Sequence, residues 1–236
     1  MATGVLLIGS TGTGKSTAIE NLNPEETMII SITGKTLPFK GSKKKYTQMK
    51  LDIENWNKAE GTYPKVLEKG NLYHVKDVLG SWRVTKAVLE MCLKSKKYKN
   101  IIIDDFGYLI INEYLHKVRL NDRSWDRFED IADHIQQIIS TVNNDESDKL
   151  VILTAHEETD NFGYRKLKTI GKMLDEKICV EGLFTIVLFS EHTDEGYFFV
   201  TQADNSSGKS PRGMFEELRI PNDFNFVRDK IKEYEG

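Results

Sequence analysis

Residues near the start of the chain have the types and spacing to hold a phosphate: Gly9, Ser10, Thr11, Gly12, Thr13, Gly14, Lys15 and Ser16. They match G-x-x-x-x-G-K-[ST] at every fixed position. Glycines let consecutive backbone N–H groups curl around an anion, the lysine reaches the β- and γ-phosphates, and the serine hydroxyl ligates Mg²⁺. The expected cofactors are therefore ATP and Mg²⁺. Gly9 to Thr17 form the cradle, Lys15 serves both binding and catalysis, and Ser16 sits on the metal. The apolar run Val5 to Ile8 before the loop and Thr17-Ala18-Ile19-Glu20 after it predict strand, turn and helix start, so a helix dipole is expected to assist.

Such a metal site needs an acid at the end of a buried strand. Asn100-Ile101-Ile102-Ile103-Asp104 supplies one, and Asp104 is the expected metal-side carboxylate. Asp105 reads either as the acid that orients an attacking water or as the N-cap of a helix over 107–116. A later strand, Leu150 to Leu153, ends in Thr154-Ala155-His156-Glu157. If it lies between the other two, Thr154 and His156 become candidate γ-phosphate sensors, although a lone histidine is also commonly structural. Glu157 is a second candidate for the water-activating acid.

The elements that must carry these residues alternate strand and helix, which predicts an α/β fold in one domain over 1–236, a length of 236 residues and 27.1 kDa sufficing for one sizeable core. Thr27 to Ile32 reads as a second buried strand. An irregular basic insertion over 33–71 carries Lys43-Lys44-Lys45, either a solvated surface or an anion contact. A helix over 81–93 has Ser81 as its cap. Another begins at Ser124, and its stripe of Trp125, Phe128, Ile131, Ile135, Ile138 and Val142 predicts Trp125 in the core. A fifth strand spans Phe184 to Phe189. A C-terminal hairpin and helix fill 192–236, with Asn222 as the helix cap. The net charge is −3, the two cysteines have no metal-ligand spacing, and no apolar run is long enough for a transmembrane helix. Only eight residues precede Gly9, so no targeting segment is expected there.

The order of parts resembles the RecA-like ATPase core. Lys168-Thr169-Ile170-Gly171-Lys172-Met173, Glu181-Gly182-Leu183-Phe184 and Lys209-Ser210-Pro211-Arg212-Gly213-Met214-Phe215 are similar to segments of small bacteriophage ATPases of the single-strand annealing recombinase class. That resemblance implies a mostly parallel sheet of core order 5-1-4-3-2 with helices on both faces. It implies ATP hydrolysis coupled to single-stranded DNA in phage recombination or annealing, in the host cytoplasm. It further implies a homo-oligomer, ring or filament, with Lys209 and Arg212 acting in trans on a neighbour's γ-phosphate, and a single-strand-binding protein as a partner. RecA-like recombinases carry a catalytic Glu just after the second strand. Here Thr33-Gly34-Lys35-Thr36 follows instead, which fits slow or assembly-gated turnover.

In that fold, loops after the third and fourth strands face the DNA. The matching segments hold Arg119 and Arg123 around Trp125, and Phe162, Tyr164, Arg165, Lys166 and Lys168, where cations can track phosphates and rings can stack on unpaired bases. A P-loop nucleotide kinase is a rival reading, but its arginine-rich lid has no counterpart among eight scattered arginines. A nucleotide-gated assembly or loading factor with little turnover is the other.

Overall fold

Val5 to Ile8, Met28 to Ile30, Ile101 to Ile103 and Val151 to Leu153 are fully buried, as aliphatic strands covered on both faces must be. The computed structural model describes every residue except Asp77, Arg123 and Asp204. Its strands are β1 (Thr3–Gly9), β2 (Thr27–Ser31), β3 (Lys50–Asp52), β4 (Lys65–Glu68), β5 (Leu72–His74), β6 (Asn100–Asp104), β7 (Leu150–Thr159), β8 (Arg165–Leu167), β9 (Ile186–Thr193), β10 (Gly196–Val200) and β11 (Arg219–Pro221). Its helices are α1 (Ser42–Lys45), α2 (Ser81–Lys94), α3 (Gly107–Arg119), α4 (Asp126–Asn143), α5 (Lys172–Asp175) and α6 (Phe224–Glu235).

The central sheet runs β11-β10-β9-β1-β7-β6-β2-β5, with β8 paired to β7. This differs from the expected order 5-1-4-3-2 because the sheet is longer than the five strands counted. The parallel β5 extends it beyond β2, and the antiparallel β10 and β11 extend it beyond β9, leaving β9-β1-β7-β6-β2 adjacent and parallel in the middle. The fold is α/β with a mostly parallel sheet. β7 does lie between β1 and β6, which brings Thr154 and His156 beside the phosphate loop.

Alternation along the strands divides the apolar side chains into two clusters. Leu6 and Ile8 join α2, α3 and α4 on one face, while Val5 and Leu7 join Ile19, Leu22 and α6 on the other. Met214 and Phe215 of the Lys-Ser-Pro-Arg-Gly-Met-Phe segment are buried in the second cluster. Each side chain so buried contributes roughly 1.5–3 kcal/mol of transfer free energy, enough to fix which face every strand presents.

Several local expectations give way. The helix start after the phosphate loop is a single 3-10 turn over Thr17–Ile19, because Asn23 and Pro24 interrupt the chain within two turns and Asn23 caps a second short turn instead. Trp125 is 70% exposed rather than in the core: α4 starts at Asp126, so Trp125 precedes the helical phase, and the Ser124 hydroxyl donates to Asp122 Oδ1 at 2.6 Å instead of capping. Gly80, at φ 82°, rather than Ser81 precedes α2. Asp223, not Asn222, caps α6, accepting from the Asn225 N–H at 2.8 Å. The insertion is partly ordered as α1 and the two-stranded β3–β4 ribbon. No helix among the described residues is long and apolar enough to cross a membrane.

Candidate nucleotide site

The loop leaving β1 lies at the carboxyl end of the sheet between β7 and β9. Gly12 and Gly14 have φ of 84° and 87°, a conformation that other residues rarely adopt. Gly9 is fixed by closeness, since a Cβ there would lie 2.0 Å from Ser190 Oγ. Thr13 Oγ1 braces the bend, donating to Ser10 O at 2.8 Å and lying 2.6 Å from Ser190 Oγ. The backbone N–H groups of Thr11 to Ser16 meet no acceptor among the described residues. Unpaired N–H groups in a loop with this sequence are donors of the kind a phosphate cradle uses. With only one 3-10 turn behind the loop, a helix macrodipole adds little; the cradle rests on these donors and on Lys15.

Lys15 is buried, and its ammonium donates to Gly9 O at 2.8 Å and Ser10 O at 2.7 Å. Burial depresses its pKa, against which Asp105 and Asp104 act. A desolvated ammonium held by two carbonyls of the loop it serves is placed to turn onto a phosphate. Ser16 Oγ donates to Asp104 Oδ1 at 2.9 Å, joining the two expected metal-side residues. Thr154 Oγ1 donates to the same oxygen at 2.9 Å and accepts from the Asp105 N–H at 2.9 Å. Burial, reinforced by Asp105, raises the pKa of Asp104. A buried carboxylate, a hydroxyl beside it and a neighbouring acid are oxygen ligands of the kind Mg²⁺ takes, so these residues fit the ion. Bound there, Mg²⁺ would neutralise charge on the β- and γ-phosphates.

Asp105 does not cap α3, whose N-cap is Phe106. Its backbone is left-handed, φ 63°, a strained setting that turns the carboxylate toward the site. There it accepts from Thr33 Oγ1 at 2.7 Å and pairs with Lys35 Nζ at 3.3 Å. His156 Nε2 lies 3.7 Å from Asp105 Oδ1, its pKa lowered by burial and by Lys15. Its ring meets that of Tyr108 edge-on. Glu157 reaches the loop directly, accepting from Ser10 Oγ at 2.5 Å. Its other oxygen takes Arg165 Nε at 3.0 Å and Nη2 at 2.9 Å. Both candidate acids therefore border the phosphate loop, and each is held by a cation. Thr33, Lys35 and Ser190 were missed in the sequence. The sequence reads the Thr-Gly-Lys-Thr run after β2 only as lacking a catalytic Glu; Ser190 offers no signal.

The candidate DNA residues divide. Arg165 is committed to Glu157 and, through Nη1 at 2.8 Å, to Glu191. Lys166 is paired with Asp175 at 2.8 Å and Glu158 at 3.0 Å. Neither is free for a phosphate, because acids of β7, α5 and β9 converge on them; sequence charge could not distinguish the two uses. Phe162 is 92% exposed at the hairpin tip beside Tyr164 at 38%. Arg119 and Lys168 are exposed, and their side chains make no hydrogen bond or ion pair among the described residues. Arg123 lies outside the described residues. Lys209 bridges to Val187 through its backbone, while Arg212 is exposed on the following turn. Neither side chain has a partner among the described residues. No family model and no curated protein matches the chain.

Proposed function

We propose that the protein is a P-loop ATPase of RecA-like type that binds ATP·Mg²⁺ and acts on single-stranded DNA, as in phage recombination or annealing. The observation that carries the nucleotide part is the convergence of the open N–H array of the loop, the Lys15 ammonium and the Ser16–Asp104 pair at one end of a parallel sheet. Asp104 and Ser16 would hold the metal, Lys15 would neutralise phosphate charge, and Thr154 fixes the orientation of Asp104. The DNA part is supported by the exposed Phe162, Tyr164, Trp125, Lys168 and Arg119, rings and cations of the sort that bind unpaired bases and phosphates. Lys209 and Arg212, lacking partners, suit a contact with a neighbouring copy.

A second reading is favoured by one observation. Asp105 is held by Lys35 and Glu157 by Arg165, so neither acid is unpaired as placed to take a proton from water. A nucleotide-gated assembly factor with slow turnover matches that arrangement. Phosphate release measured with and without an unstructured oligonucleotide, at low and moderate salt, tests the choice with Lys15→Ala as control. Stimulation that is lost in the control and weakens with salt supports the DNA-coupled ATPase. Nucleotide-dependent oligomerisation without stimulation supports the assembly factor. Phosphoryl transfer to a nucleoside monophosphate would return the kinase.

A further inference from the structure

The cavity over the loop leaving β1, about 480 Å³, is lined by Lys15, Ser16, Asp104 and Asp105, already described, and also by Tyr197, whose ring none of the chemistry above uses.

Tyr197 owes its place there to strand parity. Two residues along β10, Phe199 is fully buried and stacks on Phe224 of α6 with ring centroids 5.5 Å apart. Tyr197 faces the same side of the sheet, one pleat nearer the phosphate loop. Its ring edge rests on that loop: a Cβ added to Gly14 would lie 2.9 Å from Tyr197 Cδ1. His192, its cross-strand partner, stacks on the ring at 4.2 Å and 16°. The ring nevertheless remains 47% exposed. An aromatic ring steadied on one face, edged against a phosphate cradle and open to the cavity has its other face available for stacking.

We propose that Tyr197 is the platform on which the base of a bound nucleoside triphosphate stacks. This rests on the nucleotide-binding reading above and adds the feature that sets base preference. Stacking depends on ring area rather than on the hydrogen-bonding edge of the base. Purines are therefore preferred over pyrimidines, with adenine and guanine treated alike.

Titration calorimetry in Mg²⁺ with ATP, GTP, UTP and inorganic tripolyphosphate tests this. The wild-type chain should bind ATP and GTP within a few-fold of each other, UTP more weakly and tripolyphosphate more weakly still. Tyr197→Ala should weaken ATP and GTP by roughly 5- to 100-fold and leave tripolyphosphate unchanged, while Tyr197→Phe should match the wild type. Lys15→Ala should weaken all four. If Tyr197→Ala binds ATP as the wild type does while Lys15→Ala does not, the platform is overturned and the nucleotide reading stands. If the wild type binds neither ATP nor tripolyphosphate, the nucleotide reading fails and takes the platform with it.

Discussion

Arg165→Ala is the substitution that most directly separates a structural use of a cation from a nucleic-acid use. The guanidinium makes two contacts to Glu157 Oε2, at 3.0 and 2.9 Å, and one to Glu191 Oε1 at 2.8 Å. Its side chain is 23% exposed, and those of Glu157 and Glu191 are 12% and 22%. Hydrogen bonds to charged groups contribute about 1.5–3 kcal/mol each when protected from water, and partial exposure reduces that. Removing the cation also leaves two carboxylates near each other, with Arg219 as the one remaining cation paired with Glu191 among the described residues, at 3.4 Å. A net loss of about 2–3 kcal/mol follows, and at about 2–4 °C per kcal/mol for a chain of this size the melting temperature should fall by roughly 5–10 °C. Thermal melts followed by circular dichroism measure it. Arg165→Lys, which keeps the charge and loses the fork, should fall between the two. Lys168→Ala and Phe162→Ala, exposed and without ion pairs, should stay within about 0.5 kcal/mol of the parent. An unchanged melting temperature for Arg165→Ala, accompanied by weaker oligonucleotide binding with a shallower salt dependence, would refute the reasoning and restore Arg165 to the DNA contacts.

Gly14→Ala puts a Cβ on a residue with φ 87° and 2.9 Å from Tyr197, so it should cost about 1–3 kcal/mol and weaken ATP binding, read from melts and titrations. Trp125→Ser removes a side chain 70% exposed and should change stability by less than about 0.5 kcal/mol; a larger loss in urea unfolding would return Trp125 to the core. Cys179 is exposed and Cys92 buried, so a thiol reagent should label Cys179 in the native protein and reach Cys92 only on unfolding. Burial pushes the Cys92 thiol from 9.0 up to about 12. The unfolded chain thus releases this proton at lower pH than the native one, and stability falls as pH rises above 9. Between pH 9 and 10 the Cys92 loss should be about 1 kcal/mol, to which Tyr46 and Tyr73, raised from 10.0 to about 12, add a smaller loss with the same sign as pH approaches 10. Urea unfolding of Cys92→Ala should lack that component of the slope.

The parts of the site legible in the sequence are those whose chemistry is local. Gly12, Gly14, Lys15 and Ser16 declare themselves because a phosphate cradle needs left-handed backbone, a cation and a hydroxyl within a few residues. Asp104 is legible because a run of isoleucines ending in acid reads as a strand buried on both faces. Partnership across the sheet is not. Whether Arg165 faces a phosphate or Glu157 depends on where β8 folds back on β7, and its charge is the same in either case. Trp125 was misjudged by one residue of helix phase, since an apolar residue just before the first turn extends the stripe in the sequence without lying on it in space. The strand order was under-counted for a related reason: β11 has three residues, too short for a periodic signal, and is a strand because β10 offers it hydrogen bonds.

The position of β1 in the sheet bears on how the molecule is made. β1 is made before its neighbours β7 and β9, pairing Thr3 with Leu150 and Val5 with Ile186. Until those segments emerge, β1 has no ladder to join, and its unbroken aliphatic run is a hazard for mispairing with other nascent chains. β2 and β6, by contrast, are separated by a shorter stretch and can pair without either end of the chain. Synthesis order and assembly order are thus opposed, and the loop after β1, though encoded before those neighbours, acquires its shape only once they are made. Such long-range pairing predicts slow folding and a nascent chain whose loop after β1 has no fixed shape until β9 has cleared the exit tunnel.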